Sequence, residues 1–410
     1  MQSDNQKLTI VETFVGCGGS HLGFLKAGYE TLFINDINQE MINTILLNHK
    51  DIQETQYYVG SIENVNKDMI FEKQPIKDLD VLCGGVVCKG FSLAGVRNPS
   101  DVRNYLYKEQ LRLVKELNPK VSVIENVPQF KTTHILRETK ENQESIVRLR
   151  ELYDRKRSNN GMKTNQRNDM ASLDDEFKTL CSSIKELENK LKTSRYSVFE
   201  DIKEIYNELG YRAYDNILTC ADYGDYTCRK RFFIVAVRND ILAECGEFEY
   251  PKPTHHKTGE NGLPQWKTVN ECLKQIDYSN TDDRDNHPMK HNAKTVKRFS
   301  YIPAGGSLVD AKDMPEELKT KKVFSSRGSS KRLHGDKSCP TLVPGHSAFP
   351  VHPIEHRSIT IREGASLTGF PVDYKFSGSH TKRCEQIGNA IPVNVAYSIA
   401  LCIKNYLNKE

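Results

Sequence analysis

The sequence lacks the features that would set it apart from ordinary soluble globular proteins. No apolar run reaches the length of a membrane span. The opening residues, Met1-Gln-Ser-Asp-Asn-Gln-Lys7, have no apolar core of the kind a secretory leader needs. No two of the eleven cysteines are spaced Cys-x-x-Cys, which argues against a zinc site or a disulfide framework. That odd set of thiols fits a reducing compartment, so a cytoplasmic location with no membrane and no metal is expected. Charge of one sign is scarce too: a net +4 over 410 residues permits nucleic acid binding without arguing for it, and any basic surface has to be local. A glycine-rich turn is present, but the dinucleotide fingerprint Gly-x-Gly-x-x-Gly is not.

What is present is an alternation of strands and helices. Leu8–Phe14 is rich in β-branched residues and reads as a strand. It enters the turn Val15-Gly-Cys-Gly-Gly-Ser20, followed by a helix over His21–Ala27 that Gly28 closes. Tyr29–Ile34 is a second strand, ending at Asn35-Asp36, and Tyr57–Gly60 a short third, leading to Ser61-Ile62. Val81–Cys83 ends a fourth strand; Gln110–Leu117 is a crossover helix; Val121–Ile124 is a further strand, ending in Glu125-Asn126-Val127. This alternation makes a doubly wound α/β sheet the economical fold, with ligands at the carboxyl ends of its strands. Asp36, about 20 positions after the glycine turn, is placed to bind ribose hydroxyls. A cofactor with a ribose and no pyrophosphate suits that turn; a structural turn beside a solvated Asp is the alternative.

From Lys131 to about Arg195 the character changes, with dense charge and few glycines. Leu173, Phe177, Leu180, Ile184, Leu187 and Leu191 form a heptad seam on one helix, and Ser172 with Asp175 resembles its N-terminal box. Ile146, Leu149 and Tyr153 mark a helix before it, across the polar linker Ser158–Asp169. An inserted helical hairpin with a private seam is expected; a DNA-backbone clamp and a partner-binding arm are the alternatives. Ile202–Leu209 is a helix stopped by Gly210, and Tyr211–Leu218 and Arg231–Val237 are strands. Arg229 and Arg231 alternate onto one strand face, which suits a carbonyl or a phosphate, or else an exposed charged edge. Pro251–His356 has little periodicity and many scattered cations, and reads as a second, loop-rich domain. Arg357–Gly369 turns helical toward its end, and an apolar helix runs through about Tyr406.

The chemistry concentrates in Asp80–Arg97. Gly84 and Gly85 end the strand, and Cys88 follows on a loop past its carboxyl end, between Val87 and Lys89. A cation such as Lys89 favours the thiolate, which makes Cys88 a candidate nucleophile. A small buried hydrophobe is the alternative role for that thiol. Glu125, at the tip of the next strand, is in register to face the same cleft.

Taken together these stations resemble the C5-cytosine DNA methyltransferase family. Phe14-x-Gly16-x-Gly18-Gly19 is similar to its S-adenosylmethionine motif, and Cys88-x-Gly90-Phe91-Ser92-x-Ala94-Gly95 to its nucleophile loop. Glu125-Asn126-Val127 resembles its acid motif, and Tyr223-Gly224 with Arg229-x-Arg231 its arginine motif. Arg357-x-x-Thr360-x-x-Glu363-x-x-x-Leu367-x-Gly369-Phe370-Pro371 and Gln386-x-Gly388-Asn389-Ala390-x-Pro392 resemble the two C-terminal motifs. All six stand in the family order across nearly the whole chain. The departures are Val87 and Lys89 where Pro and Gln are usual, Tyr226 and Thr227 where Pro and Gln are commoner, and Ser61 where an Asp usually contacts adenine.

The resemblance implies a Rossmann-like α/β methyltransferase sheet over residues 1–250, interrupted by the hairpin at 131–195. It implies a smaller target-recognition domain at 251–356 and a return to the catalytic domain at 357–410. It implies S-adenosylmethionine as cofactor, with Phe14, Gly16, Cys17, Gly18, Gly19, Asp36, Ile37, Ser61, Ile62, Gly84, Asn389 and Ala390 around it. Cys88 would add to C6 of a flipped-out cytosine, Glu125 would hydrogen-bond N3 and the exocyclic amine, Arg229 would hold O2, and Arg231 would support the loop. Lys89, Ser92, Arg97, Arg332, Thr341 and Leu342 would meet DNA. The expected partner is double-stranded DNA, with a cognate restriction endonuclease as a functional partner and a monomer as the working form. The rivals are a C5-cytosine tRNA methyltransferase and a catalytically dead DNA-binding relative.

Overall fold

A computed structural model describes residues 7–71, 78–86, 98–162, 170–319, 330–345 and 349–409, with backbone alone for 159–162 and 170–174. In chain order the strands are β1 (Thr9–Thr13), β2 (Glu30–Asp36), β3 (Tyr57–Val59), β4 (Val81–Gly84), β5 (Val121–Asn126), β6 (His134–Leu136), β7 (Arg195–Ser197), β8 (Tyr211–Thr219) and β9 (Lys230–Arg238). The helices are α1 (Gly19–Lys26), α2 (Gln39–Asn48), α3 (Lys67–Phe71), α4 (Leu106–Leu117), α5 (Gln143–Met162), α6 (Met170–Lys190) and α7 (Val198–Glu208). They continue with α8 (Asn239–Cys245), α9 (Val269–Leu273), α10 (Ala293–Phe299), α11 (Ile361–Leu367), α12 (His380–Asn389) and α13 (Val393–Leu407).

Seven strands form one sheet in the order β3-β2-β1-β4-β5-β9-β8. The first five are mutually parallel and β9 runs antiparallel to both neighbours. Parallel central strands are buried on both faces, and β1 and β4 accordingly have no exposed residue. Val11, Leu82, Ile124 and Phe232 face the layer built by α4 and α7, with Leu111, Val114, Ile202 and Tyr206. Ile10, Val81, Val123 and Phe233 face the layer of α1 and α13, with Phe24, Ile399 and Ile403. The expected α/β sheet is therefore observed. The helix α2 is added to it, started by Asn38, whose side chain accepts from the Glu40 N–H at 3.0 Å.

The hairpin is also present. Leu180, Ile184 and Leu191 of the seam meet Ile146, Leu149, Leu152 and Tyr153 in a private core. The chain leaves and re-enters through a ribbon in which β6 pairs antiparallel with β7. The backbone is already helical at Met170, so Ser172 lies inside α6 rather than at its cap, and the expected N-terminal box does not start the helix.

Between residues 251 and 356 the described chain has the short α9 and α10, two 3-10 turns at Glu260–Gly262 and Glu316–Leu318, and isolated bridges. It shares a core with the C-terminal segment. Val269, Leu273, Leu333, Leu342 and Phe349 pack with Ile361, Leu367, Phe376, Cys384 and Ile387, so packing continues across residue 356. The first C-terminal motif serves this junction. Thr360 and Glu363 cap α11 reciprocally, and Arg357 grips both oxygens of Glu363 at 2.8 Å. Among the described residues no single helix is long and apolar enough to cross a membrane.

Candidate active site

The carboxyl ends of β1, β2, β3, β4 and β5 lie along one edge of the sheet, where a doubly wound fold keeps its ligands. At the end of β1, Phe14 takes φ 49°, a conformation that costs a non-glycine residue about 1–3 kcal/mol. Gly16 and Gly18 follow at φ 58° and 93°. The resulting loop bends onto β2: the Gly16 N–H donates to Asp36 Oδ2 at 3.0 Å, and the Asn38 N–H to Oδ1 at 2.8 Å. Beside Asp36, the apolar Ile37 is 71 % exposed and open to a flat ring at the same edge. A carboxylate, an open glycine loop and an uncovered aliphatic side chain fit an adenosine-bearing cofactor.

The second C-terminal motif closes this loop from behind. A Cβ on Gly19 would lie 2.1 Å from the Ile391 carbonyl oxygen, so only glycine lets the turn between α12 and α13 approach. Exposed Asn389 ends α12, and buried Ala390 opens that turn. Ser61 lies just past β3, with its hydroxyl on Glu63 Oε2 at 3.1 Å, and Gly84 ends β4. Two expected cofactor residues offer the edge no side chain. The Cys17 thiol is buried against the Gln386 carbonyl oxygen, and burial raises its pKa far above the ordinary range. The Ile62 side chain is 3 % exposed and belongs to the core.

Glu125, near the end of β5, has its carboxylate buried, and burial raises its pKa while the Arg231 guanidinium opposes that rise. Arg231 Nε lies 2.5 Å from Glu125 Oε1. Register explains the contact. Glu125 pairs with Phe233 across β5 and β9, which makes Arg231 its diagonal neighbour on the same face. A Cβ on Gly85 would stand 3.5 Å from both Glu125 Oε2 and the Phe14 carbonyl oxygen, so the carboxylate and the glycine loop adjoin. Asn126 donates its Nδ2 to the Val86 carbonyl at 2.9 Å and so holds the chain where it leaves β4.

Arg229 departs from expectation. Its guanidinium is buried and turned to the C-terminal motif, donating to the Gly388 carbonyl at 2.7 Å and more loosely to those of Leu342 and Asn389. Arg231, expected to support the loop, is the arginine beside the carboxylate, whereas Arg229, expected to hold O2, is turned away from it. Arg332 likewise reaches no solvent: it donates to the carbonyls of Phe299, Ile302, His352 and Glu355. It is an internal strut, and burial lowers its pKa. Leu342 is a core residue, 4 % exposed, while its neighbour Thr341 is exposed. The expected nucleophile Cys88 and the expected DNA contacts Lys89, Ser92 and Arg97 lie outside the described residues. The sequence also offered no sign of Asp225, whose two oxygens accept from the Asn394 and Val395 N–H groups at 3.0 and 2.9 Å and cap α13.

The type II methyltransferase M.NgoFVII of Neisseria gonorrhoeae is 29% identical over 407 residues, covering 98% of this chain and 88% of that protein. M.Eco47II of Escherichia coli, also a type II methyltransferase, is 27% identical, covering 99% and 81%. Among solved structures, a protein encoded within an Escherichia coli prophage superposes with a TM-score of 0.58 at 23% identity, covering 98% of this chain and all of that one. That likeness concerns the fold. The model of the C-5 cytosine-specific DNA methylases matches residues 8–152 and 185–405, which contain the glycine loop, Glu125, both arginines and both C-terminal motifs. The chain belongs to the C-5 cytosine-specific DNA methylase family.

Proposed function

We propose that this chain methylates C5 of cytosine in a specific duplex DNA sequence, as the modification half of a type II restriction–modification pair. The observation that carries the reading is the buried Glu125–Arg231 pair at the carboxyl edge, next to the glycine loop.

The obstacle is that C5 of cytosine is a poor nucleophile. Addition of the Cys88 thiolate to C6 makes C5 enamine-like. Glu125, its pKa raised by burial, hydrogen-bonds N3 and the exocyclic amine and stabilises the N3-protonated adduct as negative charge develops in the ring. Arg231, beside it, is the donor for the O2 carbonyl and fixes the ring's orientation. Arg229 acts at one remove, tying the residue before β9 to the end of α12 at Gly388 and Asn389. Phe14, Gly16, Gly19, Asp36, Ile37, Asn389 and Ala390 hold S-adenosylmethionine. That cofactor supplies the electrophilic methyl group that C5 attacks. Loss of the C5 proton then expels Cys88 and restores the aromatic ring. A base inside a duplex hides C6, so the target is flipped out.

Residues 251–356 form the target-recognition region in this reading. Exposed Lys257, Lys290, Lys294, Lys297, Lys331 and Lys337 supply its phosphate contacts, in place of Arg332. The test is transfer of labelled methyl groups to mixed-sequence duplex DNA and to tRNA side by side, with bisulfite sequencing of the product. Methylation of duplex DNA at one recurring motif, lost in Cys88→Ser with cofactor binding intact, is expected. Transfer to tRNA alone, or full activity in Cys88→Ser, would overturn the proposal.

A further inference from the structure

The chain that carries Cys88 re-enters the described fold at Asn98, and there it forms a small buried polar knot. Asn98, Ser100, Asp101 and Asn104 are all under one-tenth exposed, and Ser100 is 0 % exposed. Asn98 Oδ1 accepts from the Ser100 N–H at 2.9 Å and from its hydroxyl at 2.7 Å, and Asn104 Nδ2 donates to the Asn98 carbonyl at 2.9 Å. These bonds leave the Ser100 carbonyl, and its donor comes from outside the knot. Arg150, on α5 of the inserted hairpin, donates its Nε to that carbonyl at 2.6 Å and its Nη2 to Glu138 at 3.0 Å. The Leu136 N–H donates to the Pro99 carbonyl, the Tyr105 hydroxyl to the Leu136 carbonyl, and Arg157 stands 3.8 Å from Asp101. One side of the knot is thus built by the hairpin.

We propose that the inserted hairpin is a strut for the nucleophile segment, with Arg150 as the positioning residue that fixes its outgoing end through the Ser100 carbonyl. The proposal rests on the reading of Cys88 as the nucleophile. The other end is held by the sheet itself, through Asn126 on the Val86 carbonyl. A thiol that must come within bonding distance of a ring carbon needs both ends held, since displacement by about 1 Å costs on the order of 10²-fold in rate. The strut is rigid for a reason visible in its own packing: Leu149 and Tyr153 on α5 lock against Leu180 and Ile184 on α6, and the Tyr153 hydroxyl donates to Glu188 at 3.0 Å. The family match skips residues 153–184, the outer part of this hairpin. Arg150 and Ser100 themselves lie within the matched residues, so the brace joins the inner, shared part of the hairpin to the chain beyond Cys88. A charge-assisted bond to a carbonyl with no solvent access is the kind of contact whose loss is felt, because that carbonyl is left unpaired.

The experiment compares the full-length wild type with Arg150→Met, Arg150→Lys and Arg148→Met. Arg148 is 58 % exposed on the same helix, paired with Glu151, and serves as the control. The readouts are the single-turnover rate of methyl transfer, the rate of covalent adduct formation on mixed-sequence duplex containing 5-fluorocytosine, and the Kd for DNA with its salt dependence. In Arg150→Met both rates are expected to fall about tenfold or more, with cofactor and DNA affinities within about twofold. Arg150→Lys, which keeps the charge but loses the fork, is expected between the two, and carries the comparison if Arg150→Met does not fold. Arg148→Met is expected to match the wild type. Rates within about twofold of wild type in both Arg150 variants overturn the proposal. So does a loss that appears only as weaker DNA binding with a shallower salt slope, since that marks Arg150 as a phosphate contact. A wild type that methylates DNA but forms no adduct overturns the covalent reading, and the strut with it.

Discussion

Arg231 and Glu125 form an ion pair at 2.5 Å with side chains about 6 % and 10 % exposed, so each is the other's main electrostatic environment. Neither charge has water to turn to. The pair joins β5 to β9 at the carboxyl edge of the sheet, next to the glycine loop. Breaking such a pair from one side costs about 3–5 kcal/mol, because the remaining charge stays buried. In Arg231→Met, Glu125 loses the interaction that opposes its raised pKa, and that pKa rises further. A raised carboxyl pKa gives stability that is complete below the unfolded value and lost as pH rises through the folded one. The variant's deficit in thermal melts is therefore expected to be larger at about pH 8 than at about pH 5. Equal deficits at both would show that the two groups are not coupled.

Asp225 caps α13 from a fully buried site, and burial pushes its pKa up to about 7 in spite of two N–H donors. By the same sign its contribution is complete below its unfolded pKa and declines as pH rises through about 7. Asp225→Asn keeps one acceptor and sets an amide N–H against the other donor, at a cost of about 1–3 kcal/mol. It also removes the titration. Unfolding midpoints across this range are expected to show a flatter pH dependence in the variant; an unchanged slope would count against Asp225 as the titrating group.

Arg332 is enclosed by four backbone carbonyls. Arg332→Met is expected to lose about 3 kcal/mol or more of stability by leaving them unpaired. The salt dependence of DNA binding is expected to stay as it is. A salt slope reduced by about 1 would instead mark Arg332 as a phosphate contact.

Gly19→Ala tests the closure of the cofactor loop. The added methyl would meet the Ile391 carbonyl at 2.1 Å, and backbone has to move to admit it. Strain of about 1–3 kcal/mol is expected, seen as a lower melting temperature and a weaker Kd for S-adenosylmethionine by calorimetry. Unchanged affinity and unchanged melting would mean that the turn after α12 does not support the loop.

The elements that sequence alone disclosed are those whose cause is local. The β-branched run Thr9–Thr13, the glycine turn and Asp36 occupy one βαβ unit, and their roles follow from spacing within about 30 residues. The seam of α6 was legible in the same way, since helical period puts Leu180, Ile184 and Leu191 on one face whatever they meet. Arg229 and Arg231 were legible as a pair but not as individuals. Which of them reaches Glu125 depends on the register of β5 against β9, and register joins segments about a hundred residues apart.

Charge misled for a related reason. A cation in a loop-rich stretch has the composition of a phosphate contact, and nothing near Arg332 in sequence announces the carbonyls that enclose it. The same holds for Arg150, which follows Ile146 by one helical turn and whose partner, the Ser100 carbonyl, lies 50 residues away in sequence. The order of the motifs was enough to specify the family, the sheet and the edge where its chemistry sits. The tertiary structure alone decided which arginine serves the carboxylate, which cations are struts and what the hairpin touches. Motif and period are properties of neighbouring residues, whereas burial and partnership come from segments brought together only by the core.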